Sequence, residues 1–203
     1  MVVWINGAFG SGKTLIAHEL QRRVSGHVAD PELIGSAMQK MLPHRARGDF
    51  QDLPQWRAAV LATLAQAEPA CEGPLIVPMT IVRDDYFDEI VGGLRSRGID
   101  VRHYALTATP ETLVARLRLR GGGRVIRSVL GRDETWAIQQ IDRCVTALSE
   151  AQYATHVPTD ERTPDEIVES IAADAEVKLL KPPLPPIRER LHRLEVGLRH
   201  IRL

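Results

Sequence analysis

Short blocks of contiguous apolar residues alternate along this chain with longer stretches whose apolar residues return every three or four positions. The first pattern predicts buried strands and the second amphipathic helices. Strands are expected at Val2-Val3-Trp4-Ile5-Asn6, at His27 to Asp30, and at Pro74 to Met79 directly after Gly73. Two more are expected at Val101 to Ala108 and at Thr155 to Pro158. Between them, residues 14–24 read as a helix with Leu15, Ile16 and Leu20 on its apolar side, and a second helix opens at Pro31. Residues 54–68 form the next, with Trp56, Ala59, Val60, Leu64 and Ala67 facing inward. A helix from Asp85 to Arg97 stops at Gly98, and one over 110–120 runs into Gly121-Gly122-Gly123. Ile138, Ile141, Val145 and Leu148 mark a helix over roughly 133–151, and Thr163-Pro164-Asp165-Glu166 starts a last one over 164–178. Strands that alternate with crossover helices predict an α/β protein built on a parallel sheet.

The loop after the first strand sharpens that prediction. Gly7-Ala8-Phe9-Gly10-Ser11-Gly12-Lys13-Thr14 follows the P-loop pattern of Gly, four residues, Gly-Lys, then Ser or Thr. Its glycines let backbone N–H groups approach phosphate oxygens, Lys13 adds a point charge at the β and γ phosphates, and the Thr14 hydroxyl can ligate Mg²⁺. A helix leaves the loop, so the phosphates would also sit at a helix N-terminus. ATP and Mg²⁺ are therefore the expected cofactors, with Gly7 through Thr14 as their binding residues. Five strands with this loop on the first fit the nucleoside and nucleotide kinase type of P-loop NTPase fold, with strand order 2-3-1-4-5 by analogy. The chain has no Asn-Lys-x-Asp or Thr-Lys-x-Asp motif to read guanine, which argues against a GTPase.

Composition narrows the partners. The 203 residues carry 26 Lys plus Arg against 26 Asp plus Glu, a balance that argues against nucleic-acid binding by bulk charge. The longest apolar runs, residues 1–5 and 58–62, fall far short of the ~18 residues of a membrane span. Cys71 and Cys144 are too few for a disulfide framework or a zinc site, and a reducing compartment is expected. These readings favour a cytoplasmic protein acting on a small molecule.

Several stretches resemble the bacterial tunicamycin resistance proteins: residues 4–14, Asp30-Pro31-Glu32, Asp49-Phe50-Gln51, Trp56-Arg57, Val77-Pro78-Met79-Thr80, Tyr86-Phe87 and Gln139 to Cys144. The likeness covers about residues 1–175 and is least clear in the C-terminal tail. It implies an ATP-binding, nucleoside-kinase-like fold and a role in tolerating tunicamycin, a lipid-bearing uridine antibiotic. Transfer of the γ-phosphoryl of ATP to a hydroxyl of that drug, or of a related nucleoside, is the leading expectation. ATP-dependent sequestration without chemistry and a housekeeping nucleoside kinase are the alternatives.

Phosphoryl transfer needs positioning, charge stabilisation and a group to take the acceptor's proton. Asp30, ending the second strand beside the P-loop, is the expected base and acceptor contact, although Asp30-Pro31-Glu32 also makes a good helix start. Arg116, Arg118, Arg120, Arg124, Arg127 and Arg132 surround the triple glycine and suggest a lid near 116–132. Arg120 and Arg124 would meet the developing charge, while Arg116 would pack on the adenine. Asp160, after the last strand, is placed in the loop beside the adenine. Trp56 is expected to stack on the acceptor, Arg57 and Arg143 to contact an acidic or phosphate-bearing one, and Thr80 to face the phosphates. Asp84 and Asp85 read best as the start of a helix.

Residues 1–180 are expected to form the kinase-like domain and 181–203 an appendage. The prolines of 181–186 make a stiff spacer. Ile187, Leu191, Leu194, Leu198 and Ile201 then form a narrow apolar stripe spanning about 80° of a basic helix. That helix is expected to dock on its own domain or a partner chain, or to touch an anionic membrane at its inner face.

Overall fold

The computed structural model describes residues 1–120, 136–150 and 155–185, together with Arg188, Leu191, His192 and Val196 of the tail. Five strands, β1 (Val2–Gly7), β2 (His27–Val28), β3 (Leu75–Pro78), β4 (Val101–Thr107) and β5 (Thr155–Pro158), form one sheet in the order 2-3-1-4-5. Every pairing is parallel, with Trp4 opposite Val77 on one side and His103 on the other. The expected fold class and strand order are both observed.

A parallel sheet is covered on both faces, so its central strand must be apolar throughout. β1 is buried along its whole length, and its alternate residues enter different cores. Val3 and Ile5 pack with Ile16 and Leu20 of α1 (Lys13–Val24) and with Val168 and Ile171 of α8 (Pro164–Asp174). Val2 and Trp4 pack on the opposite face with Trp56, Val60 and Leu64 of α3 (Pro54–Ala67). Ile90, Val91 and Leu94 join that second core from a helical run comprising α4 (Asp84–Phe87), a π turn at Asp88–Gly92 and α5 (Gly93–Arg95). A smaller cluster joins Ala8 of the loop to Leu113 and Leu117 of α6 (Pro110–Arg120) and to Ile141 and Cys144 of α7 (Ile141–Ser149).

Element ends differ from expectation for local reasons. β2 stops two residues early because the Asp30 side chain accepts the N–H of Glu32 (2.9 Å) and turns the chain into α2 (Glu32–Met41). α8 opens with a capping box between Thr163 and Glu166, as the sequence suggests, but ends at Asp174, and Glu176 lies at φ 56°. Residues 136–139 are helical and a turn at Gln140 separates them from α7, within the single helix expected there.

The tail's first residues run back along α1. The Leu180 N–H donates to the Arg23 carbonyl (2.7 Å), and the guanidinium groups of Arg23 and Arg22 donate to the carbonyls of Lys181 and Pro182. Arg23 is buried and also meets Glu169 (2.9 Å) and Asp165 (3.5 Å) of α8. Farther along, His192 lies 3.9 Å from the buried Glu19, and Val196 is buried. Among the described residues, no helix is long and apolar enough to cross a membrane.

Candidate phosphate and acceptor site

The loop from Gly7 to Gly12 is held from below by Asn6. Its side-chain oxygen accepts the N–H groups of Gly7 (2.9 Å) and Ile81 (3.1 Å), while its Nδ2 donates to the Ile81 carbonyl (2.8 Å). The ends of β1 and β3 are thereby fixed to each other. Thr80 adds a second tie, its hydroxyl donating to the Gly7 carbonyl (2.8 Å). Gly10 and Gly12 sit at φ 85° and 93°, backbone that side-chain-bearing residues rarely adopt. At Gly10 a Cβ would also lie 2.8 Å from the Leu113 carbonyl oxygen. Lys13 reaches back across the turn and donates to the carbonyls of Gly7 (3.0 Å) and Ala8 (3.1 Å).

These features fit a polyphosphate. Ser11 is buried, and its hydroxyl meets no partner among the described residues, a costly state that a phosphate oxygen would relieve. Thr14, the first-turn hydroxyl of α1, is the residue that would hold Mg²⁺ beside those phosphates.

On the α6 side, Arg116 donates to the Thr159 hydroxyl (2.9 Å) and carbonyl (2.6 Å). Asp160 accepts from the backbone N–H and hydroxyl of Thr109 (3.1 and 3.2 Å). Hydrogen bonding from Thr112, and then from Thr109, holds its carboxyl below the usual range. The two residues expected near the adenine therefore fasten the loop after β5 to the start and middle of α6. The lid beyond Arg120, the Arg120 side chain and all of Arg124 lie outside the described residues.

Beyond the loop a cleft of about 380 Å³ opens, lined by Phe9, Asp49, Gln51, Asp52, Thr80, Val82, Arg83, Tyr86, Trp136, Gln140, Arg143 and Cys144. Two of the expected acceptor residues, Thr80 and Arg143, line it. Asp30 is not among the lining residues; its carboxylate accepts the Glu32 N–H at the turn into α2.

Trp56 and Arg57 require correction. Trp56 has no exposed surface, and its indole N–H donates to the Pro31 carbonyl (3.1 Å). Its ring packs at 5.1 Å on Phe50, so it is core that holds the start of α2 and has no face for an acceptor. Arg57 is buried too, bonded to Glu89 (2.6 Å) and to the Gln51 carbonyl, with its guanidinium 4.1 Å from the centre of the Tyr86 ring. It shapes the cleft from behind: Arg83 lies at the same 4.1 Å from that ring, and the Tyr86 hydroxyl donates to Asp52 (2.7 Å). Asp49, Gln51, Asp52, Arg83, Tyr86 and Trp136 were not singled out as site residues by sequence. Four of them fall in or beside stretches that carry the family resemblance, which was the available signal.

A phosphate-binding loop on the central strand of a 2-3-1-4-5 parallel sheet, opening on a polar cleft, defines a P-loop protein of kinase-like architecture. Comparison with known proteins bears this out. Residues 2–140 match the family model described as AAA domain. The tunicamycin resistance protein of Deinococcus radiodurans is 30% identical, with a TM-score of 0.71 over 90% of this chain and 100% of that one. The chain belongs to this P-loop family and groups within it with the tunicamycin resistance proteins. Two kinases share the fold at lower identity. A gluconokinase from Sinorhizobium meliloti is 16% identical (TM-score 0.60; 98% of this chain, 97% of that one). The shikimate kinase of Bacteroides thetaiotaomicron is also 16% identical (TM-score 0.57; 87% and 99%). No curated protein matches the sequence at a significant level.

Proposed function

We propose that this protein transfers the γ-phosphoryl group of ATP to a hydroxyl of tunicamycin or a related nucleoside. The observation that carries the reading is shared walls: Phe9 of the phosphate loop, and Thr80 bonded to the loop's Gly7 carbonyl, both line the 380 Å³ cleft beside it. A hydroxyl held in that cleft would stand next to the loop's phosphates, the proximity on which phosphoryl transfer depends.

In this reading Lys13 and the loop N–H groups bind the phosphates, and Thr14 holds the Mg²⁺ that balances their charge. Arg143 projects into the cleft with no ion-pair partner among the described residues, so its charge is available to the transferring group or to the acceptor. Arg120 and Arg124 would add to it from the lid. Asp30 would take the hydroxyl proton as the new P–O bond forms and ADP leaves. Arg116 and Asp160 would border the adenine. The packing of residues 180–182 on α1 supports docking of the tail on its own domain rather than on a membrane.

Mass spectrometry of tunicamycin incubated with the protein, ATP and Mg²⁺ tests the reading. A gain of one phosphoryl group, lost in Lys13→Ala and in Asp30→Asn, is the expected result. Unchanged drug mass alongside ATP-dependent drug binding would replace the kinase with a sequestering protein. Phosphorylation of ordinary nucleosides in preference to the drug would make tolerance a by-product of housekeeping chemistry.

A further inference from the structure

The cleft's lining combines two chemistries. Asp49, Gln51, Asp52, Thr80 and Arg83 supply donors and acceptors. Phe9 and Trp136 supply aromatic surface, their ring centres 5.1 Å apart and planes at 71°. Phe9 is a P-loop residue, and the Lys13 ammonium lies 5.6 Å from the centre of its ring. An unbroken path thus leads from the phosphate-binding cation to Trp136 through two aromatic contacts.

Trp136 stands apart from the other tryptophans. Trp4 and Trp56 are wholly buried, whereas Trp136 is 47% exposed and lines a concave site. An edge-to-face pair commits one ring's face and the other's edge, which leaves an aromatic face open to a further flat partner. Half an indole facing water in a cleft costs hydrophobic free energy that a stacked ligand would recover.

We propose that Phe9 and Trp136 form a stacking platform for a planar ring of the acceptor, making this site selective for nucleosides over simple polyols. It rests on the kinase reading for the cleft's role, and it moves the stacking function from buried Trp56 to Trp136. A ribose attached to a base on that platform would offer its hydroxyls to the polar residues that line the same cleft, Thr80, Gln51 and Asp52 among them. Stacking tolerates any flat base, so the platform selects the class of acceptor and leaves the choice of base to edge contacts.

Fluorescence tests this on the full chain, because Trp136 is the solvent-accessible tryptophan of the three. Uridine and tunicamycin should each change the emission saturably, and ribose at equal concentration should not. By calorimetry, Trp136→Ala should weaken uridine binding about ten-fold, within the range for base–aromatic stacking. Trp136→Phe should restore most of the affinity without the signal. Equal affinity of Trp136→Ala and wild type, equal binding of ribose and uridine, or binding of neither uridine nor tunicamycin would overturn the platform. The two readings fail separately. Uridine binding that depends on Trp136 without any phosphorylated product removes the kinase and keeps the platform. Phosphorylation with a KM unchanged in Trp136→Ala does the reverse.

Discussion

His103 shows how much one side chain beneath the loop can impose. It sits on β4 beside Asn6, its Nε2 at 3.3 Å from the Asn6 amide, and its ring packs 4.6 Å from Phe87. Burial, then the nearby charges of Arg95 and His156, push its pKa down to about 4, so it is neutral at physiological pH. Because the unfolded chain takes up this proton at its ordinary pKa of about 6.5, the unfolded state binds more protons between pH 6.5 and 4. Stability is therefore complete above that window and falls as pH drops through it, by roughly 3 kcal/mol. Urea melts at pH 7.5, 5.5 and 4 should show that loss in the wild type, and His103→Gln should show a shallower slope. Parallel slopes would mean that the imidazole stays hydrated in the folded protein.

Sequence reasoning reached residues unevenly at this scale. The P-loop was legible because its chemistry is local: eight consecutive positions carry the glycines, the cation and the hydroxyl. The cleft was not, because Asp52, Tyr86 and Trp136 meet only after three crossovers have folded. Trp56 illustrates the cost. Its helical spacing with Val60 and Leu64 already marked it as core, and the ring went where that periodicity sent it.

Among the elements, α1 carries the greatest responsibility. Its first turn is the phosphate loop's exit, and its last turn holds α8 and the tail through Arg23. That guanidinium serves two carboxylates and a backbone carbonyl at once, and it is buried while Glu169 remains half exposed. Arg23→Met should therefore cost about 1–2 kcal/mol, since the abandoned carboxylates can hydrate. It should also speed tryptic cleavage after Lys178, just ahead of the released hydrogen bonds. Proteolysis at the wild-type rate would show that the remaining contacts hold the spacer without Arg23. The attachment itself was hidden from the sequence, in which a basic amphipathic tail suits a protein face as well as a lipid one. A buried arginine near the end of α1 was the missing clue.

For the molecule as a whole, the parallel sheet covered by helices followed from the alternation of strands and helices, whereas the strand order came by analogy with the P-loop kinase type. Ligand binding should stabilise this assembly globally, since the loop is fastened to β3 through Thr80 and Asn6 and packed on α6 through Ala8 and Leu113. MgATP at a hundred times its dissociation constant would add about 2.7 kcal/mol. For a chain of this size that is a rise of roughly 5–10 °C in the melting temperature. Calorimetry should show the rise in the wild type and little of it in Lys13→Ala. A full shift in that variant would place the nucleotide elsewhere.

The sheet's margins have a consequence of their own. β2, one outer strand, is two residues long, and β5, the other, has four and ends in Pro158. An incoming strand from another molecule needs a longer open ladder of hydrogen-bonding groups to gain a foothold. Parallel sheets assemble through distant pairings and leave apolar strands uncovered while they do so. Once assembly is complete, these clipped margins leave little for fibril growth to extend, and the hazard of aggregation is confined to the time the chain takes to fold.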